Sequence, residues 1–230
     1  MAMKPGSTMF VPKRESEFSM SAIAWFRQQS GSNSKLAAQE LPMPQRRSQL
    51  ASARRDKVIV RFTRPLERGS VHGYVIDIGP EFFLVALVSD AIRFNGFQCF
   101  RLLDVRRLQV PGKYAAFAEA ALKKRGERIP KKPHVLVTSL PRLLLTASRA
   151  FPLITIHREK VDPGVCQIGR VVEVMDGRVS LLEIGPDAAW DDKPESYRLS
   201  EITRVDFGGD YEEALHLVGG LPRATKRRRR

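Results

Sequence analysis

Side chains that could do covalent or acid–base chemistry are few in this sequence, and they are scattered. The histidines are His72, His134, His157 and His216, and the cysteines are Cys99 and Cys166. Two cysteines are too few for a disulfide framework or for a zinc site, which takes about four ligands, so both read as small buried or half-buried thiols in a reducing compartment. His157 stands in the run I-T-I-H-R-E beside Arg158 and Glu159. A catalytic role would need a pocket that gathers it with acids such as Glu159 or Asp162; a strand histidine held by a local salt link is the simpler reading. Asp187, Asp191 and Asp192 fall in an expected hairpin loop, where solvated acids are ordinary rather than metal ligands. The phosphate-loop, dinucleotide and zinc-helix motifs are absent, and Gly69–Gly73 (GSVHG) lacks the spacing of a nucleophile elbow. Nothing assembles a nucleophile, a base and an orienter, so the expectation is a non-enzyme with no cofactor and no metal.

What remains is the chemistry of charge. The formal net charge is +14, and it is unevenly distributed. Residues 1–56 carry 9 Lys/Arg against 4 Asp/Glu, residues 57–152 carry 17 against 7, residues 153–222 carry 7 against 14, and residues 223–230 carry 6 against none. A basic surface attracts polyanions, which makes RNA or DNA the expected partner. Three groups could make the contact. Arg93, Phe94, Phe97, Phe100 and Arg101 interleave rings and guanidiniums as single-strand binders do, although such phenylalanines also serve as core. Lys123, Lys124, Arg125, Arg128, Lys131 and Lys132 form a basic helix end and loop. Lys226, Arg227, Arg228, Arg229 and Arg230 form a tail that would contact phosphates nonspecifically or merely aid solubility. The alternative is a protein-interaction or regulatory adaptor, in which the basic and acidic halves serve domain packing or a protein partner.

These groups sit on a chain that repeats itself. Gly73–Val88 (GYVIDIGPEFFLVALV) returns 96 residues later as Gly169–Ile184 (GRVVEVMDGRVSLLEI). Arg101–Val110 (RLLDVRRLQV) returns as Arg198–Phe207 (RLSEITRVDF), and Tyr114 is matched by Tyr211. A period this long is a duplicated small domain rather than a solenoid. Alternating apolar residues predict strands at Lys57–Phe62, His72–Ile78 and Phe82–Val88, with a turn at Gly79-Pro80. Asn95-Gly96 between β-formers predicts a hairpin turn, and Asp191-Asp192 takes the same place in the second copy. Spacing three and then two through Val105, Leu108 and Val110, and through Ile202, Val205 and Phe207, predicts one tight turn and a short last strand. Arg101, Arg198, Arg107 and Arg204, near Asp104 and Glu201, are expected to form structural salt links. Lys113–Arg125, Ser139–Ala150 and Asp210–Val218 are expected helices, with Ser139 and Asp210 as N-caps.

Five short strands with a tight turn before the last resemble small SH3-like barrels, the Sm-like variety in particular. The resemblance covers roughly 57–110 and 153–207. Sm-like proteins bind single-stranded RNA through a polar residue after the second strand and an Arg-Gly-like group near the last. Here those places hold Gly79-Pro80-Glu81 or Met175-Asp176-Gly177, and Leu103-Asp104-Val105 or Ser200-Glu201-Ile202. The family's RNA-binding residues therefore do not carry over. The expected architecture is mainly β with connecting helices, two tandem five-stranded barrels packed as a pseudo-dimer. Its parts are a disordered basic extension at 1–56, a first barrel at 57–110, a helical connector at 111–152, a second barrel at 153–207, a C-terminal helix at 208–222 and a disordered tail at 223–230. The longest apolar run, Phe82–Val88, is far short of the roughly 18–20 residues of a membrane span, so a cytoplasmic protein without a membrane partner is expected.

Overall fold

A computed structural model describes residues 41–66 and 69–222, and the expectations for 1–40 and for the tail lie outside the described residues. The duplication extends further than the strands. The first copy runs α1 (Met43–Asp56), β1 (Ile59–Thr63), β2 (Val71–Ile78), β3 (Phe82–Val88), β4 (Phe94–Arg101), a 3-10 turn (Leu102–Asp104), β5 (Arg106–Gln109) and α2 (Ala115–Lys124). The second repeats this order as α3 (Leu140–Ala150), β6 (Ile154–His157), β7 (Cys166–Met175), β8 (Arg178–Glu183), β9 (Glu195–Arg198), a 3-10 turn (Leu199–Glu201), β10 (Arg204–Phe207) and α4 (Asp210–Gly219). The two expected connector helices thus belong one to each copy. The tight turn before the last strand is present in both copies as the 3-10 turn.

The strands do not close into two barrels. They form one antiparallel sheet of ten strands in the order β5-β1-β2-β3-β4-β10-β6-β7-β8-β9. Each copy contributes five contiguous strands, joined where β4 pairs with β10 from Phe97↔Phe207 to Phe100↔Arg204. A free β4 would leave a row of unpaired N–H and C=O groups, and β10 takes that row up. Both copies carry a bulge at the same place, between Val75 and Asp77 in β2 and between Val171 and Glu173 in β7. Just before each bulge a glycine lets strands approach closely: a Cβ on Gly73 would lie 2.3 Å from the Ala86 carbonyl oxygen, and one on Gly169 would lie 2.1 Å from that of Leu182.

Packing follows the joint. One apolar cluster spans both copies, with Leu84 and Cys99 of the first against Leu143, Ile156, Leu181, Val205 and Phe207 of the second. A second belongs to copy one, where Phe62, Phe83 and Phe100 meet in tilted and edge-on contacts under Leu50 and Ala53 of α1. That helix corrects the expectation of disorder through residue 56. Only Arg46, Leu50 and Ala53 are buried, and most of the other positions are basic or polar, so its amphipathic signal is faint. Pro44 suits its first turn, and Arg54 and Arg55 lie at the carboxyl end, where the dipole favours cations. Ser139 caps α3 as expected, its hydroxyl accepting the Arg142 N–H at 3.4 Å. At α4 the N-cap is Gly209, one residue before the expected Asp210.

Asn95-Gly96 is not a hairpin turn. The chain reverses earlier, where the Ser89 N–H donates to the Arg93 carbonyl at 2.9 Å, and Asn95 and Gly96 lie inside β4. Gly96 takes φ 68°, and a Cβ there would sit 2.5 Å from the Gly209 nitrogen. The Asn95 Oδ1 accepts the Asp210 N–H at 2.8 Å, so this dipeptide caps the opening of α4 across the copy boundary. In copy two the reversal likewise precedes Asp191-Asp192, with the Gly185 N–H donating to the Ala189 carbonyl at 2.8 Å. Among the described residues no helix is long and apolar enough to cross a membrane.

Candidate nucleic-acid interface

The basic residues that come together lie on the first copy, along β2. Three adjoining concavities of about 380, 340 and 400 Å³ follow this strand; the first two share Arg54, and the last two share Tyr74 and Ile129. Their walls carry Arg47, Arg54, Arg55 and Lys57 from α1 and its C-cap, facing Lys123, Arg128, Lys131 and Lys132 from the end of α2 and the segment after it. Tyr74, Ile76, Ile78 and Phe94 supply an apolar floor, with the Tyr74 and Phe94 rings 6.0 Å apart.

The acids of this trough are already engaged. Asp77 lies between Arg54 at 3.1 Å and Lys132 at 2.5 Å, which ties α1 to the segment after α2. Glu127 accepts the Phe94 N–H at 2.9 Å and faces Arg93 at 3.5 Å, and Glu119 accepts the Ile59 N–H at 3.3 Å. Lys57, Lys123, Arg128 and Lys131 are exposed and have no ion-pair partner among the described residues. Burial, reinforced by the Glu119 charge, pushes the Tyr74 hydroxyl up to about 12, so it stays a neutral donor at working pH. The chemistry on offer is a row of cations over an aromatic-aliphatic floor, which suits a phosphate backbone.

The residues named from sequence separate into two sets. Lys123, Lys131 and Lys132 are in the trough, and Lys124 is exposed beside it. Arg125 donates to the Ala91 and Ile92 carbonyls, which holds the turn before β4. Phe97 is no open stacking platform: it stacks on Phe207 at 5.9 Å in the joint between copies. Phe100 is fully buried. Arg101 lies over the Phe82 ring at 5.7 Å and donates to the Ser200 carbonyl at 2.9 Å, so it also binds the copies together. Arg93, Phe97 and Arg101 therefore do not form one surface. Lys226 to Arg230 lie outside the described residues. Sequence reasoning missed Arg54, Arg55 and Lys57, whose only signal was the R-R-D-K run before β1.

Among the described residues, Asp104, Glu201 and Arg204 have salt links other than the expected ones. Asp104 is approached by Lys160 at 3.7 Å and Glu201 by Arg158 at 3.3 Å, while Arg204 reaches Asp206 at 3.1 Å. His157 does have a local partner, its Nε2 lying 3.0 Å from Asp206, with the Arg204 guanidinium 2.9 Å from the same nitrogen. Glu159 is taken up by Arg64 and Thr203, away from the His157 ring, whose partners are Asp206 and Arg204. Among the described residues no group of three or more His, Cys, Asp or Glu is placed to hold a metal ion. In comparisons with protein-family models, curated proteins and solved structures, nothing matches this chain.

Proposed function

We propose that the protein is a non-enzymatic binding module whose partner is nucleic acid, RNA or DNA, engaged by the basic trough of the first copy. The repeat would then be an Sm-like unit whose strands open into a shared sheet, and the Lys226–Arg230 tail would add nonspecific attraction. The observation that carries this reading is the convergence of two basic segments distant in sequence, 47–57 and 123–132, on one apolar-floored trough whose acids are engaged. The test is fluorescence anisotropy on single- and double-stranded RNA and DNA over a range of salt. A Lys57→Glu/Lys131→Glu variant is expected to lose roughly tenfold or more in affinity, with a log–log salt slope shallower by about 0.7 per lost single-strand contact. Unchanged affinity would sink the proposal.

A protein adaptor is the second reading, and one observation favours it. A cleft of about 520 Å³ beside Phe151, Leu153 and α4 is mostly apolar; Leu217, which lines it, is 85 % exposed, and Val218 and Leu221, close to it in sequence, are 76 and 63 % exposed. Leu217→Ser/Val218→Ser would abolish capture of a protein partner under that reading and leave nucleic-acid affinity untouched.

A further inference from the structure

The trough of copy one has an incomplete counterpart in copy two. In copy one the bulged end of β2 is covered: Ile76, Asp77 and Ile78 are half-buried, Lys132 pairs with Asp77, and Gly79 lies against the Val137 carbonyl. In copy two the same end of β7 is bare. Val172 and Met175 are 59 and 58 % exposed, and Glu173, the counterpart of Asp77, has no partner among the described residues. On the helix side Ser148 of α3 reaches this strand, its hydroxyl accepting the Val171 N–H at 3.2 Å, and it brings no cation.

The segment that would complete the match is in the chain. Helices α2 and α4 are both 10 residues long and pack at equivalent places, α2 against Ile59, Val88 and Phe94, and α4 against Leu153, Ile184 and Trp190. Arg128, Lys131 and Lys132 lie four, seven and eight residues beyond the last residue of α2; Arg223, Lys226 and Arg227 lie four, seven and eight beyond the last residue of α4. R-I-P-K-K and R-A-T-K-R thus stand at the same spacing in sequence from the ends of their helices. We propose that the tail, residues 223–230, docks along the exposed end of β7, with Arg227 on Glu173 as Lys132 is on Asp77, and covers Val172 and Met175. The fit is also one of charge, since residues 153–222 are acidic and the tail holds 6 cations and no acid.

The test is independent of nucleic acid. Hydrogen exchange of residues 171–177 is compared between the full chain and a chain stopped after Pro222. Loss of the tail is expected to speed exchange there by a factor of roughly 3–10. Glu173→Lys in the full chain is expected to do the same, and adding it to the truncation to do nothing more. A p-benzoylphenylalanine placed at Met175 is expected to cross-link within its own chain to a peptide from 223–230. Equal exchange with and without the tail, or cross-links only between chains, would overturn the proposal.

Discussion

Arg64 and Glu159 come from opposite copies and meet in a nearly dry position. The Arg64 guanidinium donates twice to the Glu159 carboxylate, at 3.0 and 2.5 Å, Thr203 donates to it at 2.5 Å, and the Arg64 side chain is 0 % exposed over the Phe100 ring. Burial alone would raise the Glu159 pKa, but the hydrogen bonds from Arg64 and Thr203 and the charges of Arg64 and Arg204 outweigh it, leaving it below the ordinary value. Since the folded value is the lower one, this stabilisation is present above the unfolded glutamate pKa and is lost as pH falls through the folded one. Breaking a buried pair leaves a charge without its partner, so Glu159→Ala is expected to cost about 3–5 kcal/mol in urea unfolding at neutral pH. The deficit should shrink as the solution is made acidic. A cost under about 1 kcal/mol, or one independent of pH, would show that the pair does not anchor the copies. Neither partner was legible as such in the sequence: Arg64 carries no motif and Glu159 reads as a neighbour of His157, and nothing local marks a pairing across 95 residues.

At the scale of elements, α1 is the piece on which both fold and trough depend. It seals the Phe62, Phe83 and Phe100 cluster with Leu50, and it anchors to the 3-10 turn through Arg46, which donates to the Leu102 carbonyl at 2.9 Å. Leu50→Ala removes a fully buried side chain and is expected to cost about 2–5 kcal/mol in a denaturant titration. A near-neutral result would mean that the helix is only loosely attached. Most other elements were legible, because Gly73 and Gly169 anchor the repeat and Ser139 marks a helix start. The helix α1 was hidden because a helix held by one leucine, one alanine and a guanidinium has almost no apolar period. Asn95-Gly96 misled for a related reason. Its positive φ is real, but the demand comes from the backbone of Gly208 and Gly209 across the joint rather than from a turn. Within the candidate site, Lys123, Lys131 and Lys132 were visible as a charge run. The facing wall from α1 was not, since only the fold sets it opposite.

At the scale of the whole molecule, the duplication ends in one sheet and one shared cluster rather than two modules. The two copies should therefore unfold together. In a Trp25→Phe background, Trp190 fluorescence reports copy two and hydrogen exchange of β2 and β3 reports copy one; the two denaturant midpoints are expected to coincide. Separate midpoints would mean that the β4–β10 joint does not couple the copies. The joint also sets a basic first copy beside an acidic second, and the proposed nucleic-acid partner would meet the basic one. Lysine footprinting of the full chain with a bound single-stranded oligonucleotide near physiological salt tests that choice directly. Protection at Lys57, Lys123 and Lys131 is the result expected of the trough. Protection confined to Lys226, or at no lysine of the first copy, would contradict it.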